Sequence, residues 1–147
     1  SVAALLEAAS ASAIRPPMSL DTVGSRRAGS IPEGVGTPPP DRDPVLDDGG
    51  ARFLLPDSLS AESDYTLWLH VYWQDGCGNS LAVRVGDKPP VAAGNDGIYN
   101  RWHWVRVPGT LSPSHASKVE ILNREDGVAF SHVLFSSSED YVPVEAP

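Results

Sequence analysis

The chain has 147 residues and a net charge of −8, and its 11 Lys and Arg residues are scattered, which excludes a nucleic-acid surface because such a surface needs a basic patch. No apolar stretch approaches the roughly 20 residues that cross a bilayer, so no membrane span is expected. The 13 glycines and 14 prolines stand between short apolar runs, which favours one all-β domain over residues 1–147. A lone Cys77 excludes an internal disulfide.

The first 13 residues are small and apolar, and two interpretations of them are open. Their Ala, Leu and Glu content predicts a short helix on propensity alone. The alternation of Val2, Ala4 and Leu6 instead suits an edge strand, or a strand donated to a neighbouring chain. Arg15-Pro16-Pro17 ends either element, because proline lacks a backbone donor and restricts the residue before it.

Residues 18–56 hold short strands around one long loop. Weak strand-like runs occur at Met18 to Val23 and Gly29 to Pro32, and Arg52 to Leu55 is a short strand that Pro56 closes. Residues 34–50 between them are rich in Gly, Pro and Asp. Loops of that length are uncommon in compact domains and are often functional. The alternative is a solvated loop packed across one sheet edge.

The centre of the chain has the clearest strand signal. Period-two alternation predicts a strand, since successive side chains point to opposite faces of a sheet. The predicted core face carries Tyr65, Leu67, Leu69, Val71 and Trp73. Trp68 and Tyr72 lie on the opposite face, where an exposed aromatic pair would suggest an interface. A polar turn at 74–78 and a second run at 79–85 predict a β-hairpin.

Two further segments complete the strand pattern. Residues 101–107 alternate, with Trp102, Trp104 and Arg106 on one face. Residues 117–122 and 128–135 are predicted to pair as a last hairpin through the Asp126-Gly127 turn. The total is seven to nine mostly antiparallel strands and no clear helix, which predicts a β-sandwich.

Several short motifs occur in an order that is typical of one family of modules. They are Glu7 in an early strand, Ser30 to Gly34, Ala51 to Pro56, Asp64 to Trp68, Asn79 to Asp87, Trp102-His103-Trp104, Val119 to Ile121 and Arg124 to Gly127. Their order over about residues 5–141 resembles the galactose-binding-like β-sandwich modules, particularly carbohydrate-binding module families 6 and 35. The resemblance implies a single jelly-roll β-sandwich without catalysis of its own, and it favours a strand at residues 5–9.

The resemblance also implies a structural calcium near the first and last strands. Glu7 matches the first acidic position of the family's first strand. Ala9 stands at the second acidic position, and Ser131 stands where the closing strand usually has Asp. Calcium takes roughly six to eight oxygen ligands. Glu7 is therefore the one candidate metal ligand, and a solvated or hydrogen-bonded Glu7 is the alternative.

In the resembling modules the sugar site lies in loops at one tip of the sandwich. The residues of this chain that match it are Tyr99, Trp102 and Asn123, and Asn79 and Asn100 are weaker candidates. Sugar binding asks for aromatic faces that cover the apolar side of a pyranose and for planar amides that meet its hydroxyl groups. The alternative for Trp102 and Trp104 is that both serve the core.

Motifs for catalysis are missing from the sequence. The four histidines (His70, His103, His115 and His132) are scattered, and neither Gly-x-Ser-x-Gly nor His-Glu-x-x-His occurs. We therefore expect no enzyme. The resemblance implies a non-catalytic carbohydrate-binding module of an extracellular or cell-surface protein, with a glycan or polysaccharide as partner. The alternative is a structural subunit of a cell-surface or extracellular filament that assembles with its neighbours by β-strand addition.

Overall fold

The period-two runs fold into two antiparallel sheets that pack face to face. The computed structural model describes residues 1–144 and 146–147, and within them eleven strands are present. Sheet A contains β1 (Val2–Glu7), β3 (Ser19–Val23), β4 (Arg26–Ile31), β6 (Thr66–Trp73), β9 (Trp102–Arg106) and β11 (Val128–Ser136). Sheet B contains β2 (Ala13–Arg15), β5 (Gly50–Leu54), β7 (Ser80–Val85), β8 (Val91–Gly94) and β10 (Lys118–Leu122).

The predicted fold class, an all-β jelly-roll sandwich, is confirmed. The strand order is β3-β4-β11-β6-β9 in sheet A, with β1 also paired to β11, and β2-β5-β10-β7-β8 in sheet B. The described residues hold more strands than the seven to nine predicted. The prediction missed β2 and β8, because strands of three and four residues are too short to show an alternating pattern.

The core lies between the two sheets, and the predicted faces of the central strand are confirmed. Leu67, Leu69, Val71 and Trp73 of β6 are buried, and the residues between them point away from sheet B. Phe53 of sheet B and Phe130 of sheet A meet edge to face, with ring centroids 6.0 Å apart. Such aromatic pairs contribute beyond the apolar area that they bury.

Both predicted hairpins are wrong. β6 lies in sheet A and β7 in sheet B, and β10 and β11 are divided between the sheets in the same way. Each turn therefore carries the chain from one sheet to the other. The edges explain the error: β6 already pairs with β11 and β9, and β7 pairs with β10 and β8. Alternation shows which face of a strand is buried but does not identify its edge partner.

The N-terminal segment is a strand of the chain's own sheet, so the helix predicted from propensity is wrong. β11 pairs with β6 along its whole length. Its other edge is shared, because β4 pairs with residues 128–130 and β1 with residues 132–136. Completing this edge outweighs helix propensity, which is a weak preference that tertiary context overrides. The strand ends at Glu7, short of the predicted residues 5–9, and a 3₁₀ turn follows at Ala8–Ser10.

A hairpin that the sequence did not reveal joins β3 and β4. Val23 pairs with Arg26, and Gly24 and Ser25 between them have φ of 49° and 67°. Two central residues with positive φ define the type I′ turn that suits a two-residue hairpin.

Within the described residues no helix is long and apolar enough to span a membrane. Glu145, in the tail predicted to be extended, lies outside the described residues.

Candidate functional site

The long loop at residues 34–49 covers the outer face of sheet B and does not follow a sheet edge. Leu46 is buried against Ala82 of β7 and Leu122 of β10, whose side chains point away from the core. Asp48 closes the loop: its carboxylate accepts two hydrogen bonds of 2.7 Å from Arg42 and one of 2.8 Å from the Val45 amide. The hydrogen-bonded Arg42 guanidinium lowers the pKa of Asp48 to about 2.

An open cleft of about 620 Å³ lies between this loop and the edge strand β8. We call it the asparagine cleft because three amides, those of Asn79, Asn95 and Asn123, line it. The charged groups of the lining are Arg42, Asp43, Arg124 and Glu125. Its apolar walls are Pro38, Pro39, Pro40, Pro44, Ala82, Pro90, Val91 and Ala92. None of the described lining residues is aromatic.

Asn123 has the most constrained amide of the cleft, and only 2% of the residue is exposed. Its Nδ2 donates to the Asp48 carbonyl oxygen at 3.1 Å and to the Gly36 carbonyl oxygen at 3.4 Å. A flipped amide would turn Oδ1 against both carbonyl oxygens, so these bonds fix its orientation. Within the described structure Oδ1 is buried and has no partner. Leaving such an acceptor unpaired costs about 1–3 kcal/mol, and because the atom is buried a donor reaches it only when the loop shifts.

Hydrogen bonds join other polar side chains at the cleft to one another. Asn79 Nδ2 donates to Asn95 Oδ1 at 3.0 Å. Arg124 Nη1 donates to the Ser80 hydroxyl at 2.5 Å and pairs with Glu125 at 3.2 Å, and Ser80 also hydrogen-bonds Glu125. These contacts hold the side chains in place, which lowers the entropy lost when a ligand binds.

A second candidate surface lies on the outer face of sheet A. We call it the aromatic face, and it consists of Trp68, His70, Tyr72, Trp102 and Trp104. The His70 ring stacks on Trp102 with centroids 5.2 Å apart and lies 4.8 Å from Trp104. The alternative that Trp102 and Trp104 serve the core is therefore wrong, because the inward-facing residues of β9 are His103 and Val105.

The β3–β4 turn closes over one end of the aromatic face. Two strands separate β4 from β9, so the turn would lie about 14 Å away in a flat sheet. Trp102 Nε1 nevertheless donates to the Gly24 carbonyl oxygen at 3.0 Å. A Cβ at Gly24 would lie 2.7 Å from the Tyr72 ring, which explains the glycine at this close approach. The hairpin therefore curls over sheet A and fixes the Trp102 indole.

His70 forms the buried polar centre of the aromatic face. The Ser131 hydroxyl lies 2.7 Å from His70 Nδ1 and 2.8 Å from His132 Nδ1, so it bridges the two rings. Burial, with nearby Arg26 and His132 as smaller causes, lowers the pKa of His70 to about 4. Burial also lowers the pKa of His132. Both rings are therefore neutral at pH 7.

The structure brings together two of the four predicted ligand contacts. Asn79 and Asn123 line the asparagine cleft, whereas Trp102 lies on the aromatic face. Tyr99 is exposed beside Gly76, and neither aromatic residue lines the cleft. The weaker candidate Asn100 lines a separate cavity of about 300 Å³ with Tyr72. Whether any of these residues contacts a ligand stays a prediction.

Sequence reasoning did not single out Asn95, Arg42 or Arg124, which also line the cleft. The Asn95-Asp96-Gly97 turn was a usable signal for the first, because Asn tolerates positive φ and Asn95 has a φ of 60°. Arg42 and Arg124 lie in polar loops whose position over the sheet depends on Leu46. No local pattern indicates that position.

Two solved structures have a similar fold. One is a Podospora anserina GH26-CBM35 β-(1,4)-mannanase, with a TM-score of 0.59 and 12% identity over 95% of this chain and 28% of that chain. The other holds the CBM22-1 and GH10 modules of the Clostridium thermocellum N-terminal endo-1,4-β-D-xylanase 10B complexed with xylohexaose, with a TM-score of 0.50 and 14% identity over 88% and 26% of the two chains. The fold resembles that of carbohydrate-binding β-sandwich modules. No protein-family model and no curated protein matches the chain.

The calcium that the resemblance to these modules implies does not fit the residues around Glu7. Glu7 lines a cavity with Arg26, Arg27 and His132, and the two guanidinium groups oppose a divalent cation. Ser131 stands where the family usually has Asp, and its hydroxyl group is hydrogen-bonded to His70 and His132. Within the described residues, no group of three or more His, Cys, Asp or Glu side chains is arranged to hold a metal. The calcium implied by the resemblance is untested, and a metal titration that showed calcium binding at Glu7 would contradict this poor fit.

Proposed function

We propose that the protein is a non-catalytic carbohydrate-binding module that acts outside the cell or at the cell surface, and that the glycan binds in the asparagine cleft. The observation that carries the proposal is the set of three side-chain amides, those of Asn79, Asn95 and Asn123, that line one cleft together with two guanidinium groups. Sugar hydroxyl groups would donate to and accept from the accessible amide atoms, with the exposed Asn95 as the main contact.

The size and lining of the cleft suit a short stretch of polysaccharide. Its volume of about 620 Å³ lies within the usual range for small-ligand sites. Planar amides and guanidinium groups match adjacent hydroxyl groups, and the proline rings supply apolar surface. Arg42 and Arg124 are each paired with a carboxylate, so the cleft favours a neutral glycan over a strongly charged one.

The similar solved structures support the class of ligand. They belong to a β-(1,4)-mannanase and an endo-1,4-β-D-xylanase, the latter complexed with xylohexaose. We therefore propose a β-1,4-linked polysaccharide as the ligand of this chain. The filament alternative is less well supported, because residues 2–7 pair with the chain's own β11 and need no neighbouring chain as acceptor.

The test uses a matched pair of asparagines. Asn95 and Asn100 are both exposed and have φ of 60° and 57°, so alanine brings similar backbone strain to each, but only Asn95 lines the cleft. Affinity electrophoresis in mannan and in xylan should show about tenfold weaker binding for Asn95→Ala, since a lost polar contact costs about 1–3 kcal/mol. Asn100→Ala should bind like the parent. Equal losses in both variants, or no binding by the parent protein, would contradict the proposal.

A further inference from the structure

The C-terminal segment crosses the outer face of sheet A. Tyr141, Pro143, Val144 and Pro147 line a cavity of about 200 Å³ whose other walls include Trp104 of β9 and Leu134 of β11. Pro143 is buried although its neighbour Val142 is 58% exposed. The segment thus inserts one proline against the sheet and leaves the adjacent valine in solvent.

The described residues of this segment form no strand, so no ladder hydrogen bonds hold them to the sheet. Arg26 Nη1 donates to the Pro147 carbonyl oxygen at 3.1 Å, and the Tyr141 amide makes a local bond of 3.3 Å to the Ser138 carbonyl oxygen. Packing by the Pro143 and Tyr141 side chains adds to these two bonds. A segment without ladder hydrogen bonds lies at the low-stability end of local unfolding.

The outer face of sheet A carries an unsatisfied donor next to the strand residues that the segment covers. Trp68 lies between Leu134 and Arg106 on the outer face of sheet A. Its Nε1 is buried and has no acceptor within the described structure. An indole N–H usually finds a partner when it is buried, so an acceptor from outside the chain would relieve this cost. Trp104, on the neighbouring strand β9, lines the cavity under the segment.

We propose that the C-terminal segment, described at residues 141–144 and 146–147, is a strap that covers part of a second saccharide-binding surface, the aromatic face, and that a glycan binds this surface only when the strap lifts. The ligand class rests on the proposed function. Indole rings cover the apolar side of a sugar ring, and a sugar oxygen accepts from Trp68. The strap competes with that ligand, so the fraction of molecules with a lifted strap scales the apparent affinity.

Strap opening is measured without any ligand by acrylamide quenching of tryptophan fluorescence in the full chain. Trp68, Trp102 and Trp104, three of the four tryptophans, lie on the aromatic face, and Trp73 is buried in the core as an internal reference. Pro143→Asp should raise the quenching constant about twofold or more, because a buried charge on the strap favours the open state. Val142→Asp adds the same charge at an exposed neighbour and should leave the constant unchanged.

Glycan binding is then measured in an Asn95→Ala background, which weakens the asparagine cleft. We expect Pro143→Asp to raise the mannan or xylan affinity of this background about tenfold, because a larger fraction of molecules then has the strap lifted and the aromatic face accessible. Val142→Asp should leave the affinity unchanged. Pro143→Ala, which keeps the segment uncharged, should shift both readouts in the same direction by less. If circular dichroism shows that Pro143→Asp is unfolded, Pro143→Ala still tests the proposal.

Three results would overturn the strap. Unchanged quenching in both Pro143 variants would show that the segment does not shield the tryptophans. Raised quenching without a gain in glycan affinity would show that the face is not a saccharide site. A dimer in light scattering would assign the face to the tail of a second copy. Failure of the proposed cleft is distinct, because it appears as unchanged binding on Asn95→Ala in the parent protein.

Discussion

Leu46 holds the wall of the asparagine cleft, and shortening it to alanine should loosen that wall. The side chain packs on Ala82 and Leu122 beneath residues 34–49. Leu→Ala changes at buried sites cost about 2–5 kcal/mol. The cluster around Leu46 is small and close to the surface, with 8% of the residue exposed, so the lower end of about 2 kcal/mol applies. We expect most of this cost to appear as local release of the loop.

Local release has two measurable consequences. The backbone N–H of Asn123 donates to the Gly49 carbonyl oxygen at 2.9 Å. Hydrogen exchange of this backbone N–H should therefore accelerate about tenfold or more when the loop opens more often. Glycan affinity should fall as well, because the open state lacks one wall of the cleft. Melting temperature should fall by a few degrees at most, since the main core is untouched.

Val45→Ala is the control, because Val45 is the adjacent residue and is 44% exposed. It should change exchange and affinity little, as exposed substitutions usually stay within about 0.5 kcal/mol. Similar exchange rates for Leu46→Ala and the parent protein would refute the account of how the loop is held. Faster exchange with unchanged glycan affinity would show that the loop is not a wall of the binding site.

Two further predictions concern charged and titratable groups. Asp48→Asn removes the charge that holds Arg42 and should cost about 1 kcal/mol in urea unfolding at pH 7, a modest value because Arg42 is half exposed. Since the folded pKa of Asp48 is about 2 and its ordinary value is 3.8, this difference should disappear as the pH falls through 2. Burial lowers the pKa of His70 from 6.5 to about 4, so the unfolded chain binds the extra proton and acid should destabilise the fold by about 2 kcal/mol at pH 5. Thermal unfolding of His70→Asn should show a smaller loss from pH 7 to pH 5, with His132 as the remaining group, and parallel losses would contradict the assignment to His70.

The sequence was informative where burial alternates along a strand. The buried face of β6 followed from Leu67 to Trp73, because a strand with one buried face must repeat every second residue. For β9 the alternation grouped Trp102 with Trp104 but did not show which face is inward, since every residue from Trp102 to Val105 is partly buried. Pairing did not follow, since the Asp126-Gly127 turn is typical of a hairpin but here connects the two sheets. A turn type describes four residues, whereas strand pairing depends on which edges remain open.

The candidate site was predicted in part for a related reason. Asn79 and Asn123 were chosen separately and lie at one cleft, because both follow or precede strands at the same end of sheet B. The wall opposite them depends on Leu46, a single apolar residue in a polar loop without periodicity. The tail strap was missed for the same reason, since one inserted proline leaves no repeating pattern.

The most direct test of the central claim maps where a glycan binds. In a titration of ¹⁵N-labelled protein with a β-1,4-linked oligosaccharide, nuclear magnetic resonance resolves the side-chain amides of Asn79, Asn95 and Asn123 and the indole N–H of each tryptophan. We predict that the earliest and largest shifts occur at the three asparagine amides, with the indole signals moving only at higher ligand concentration. Shifts confined to the indoles, or none at saturating ligand, would contradict a saccharide site in the asparagine cleft.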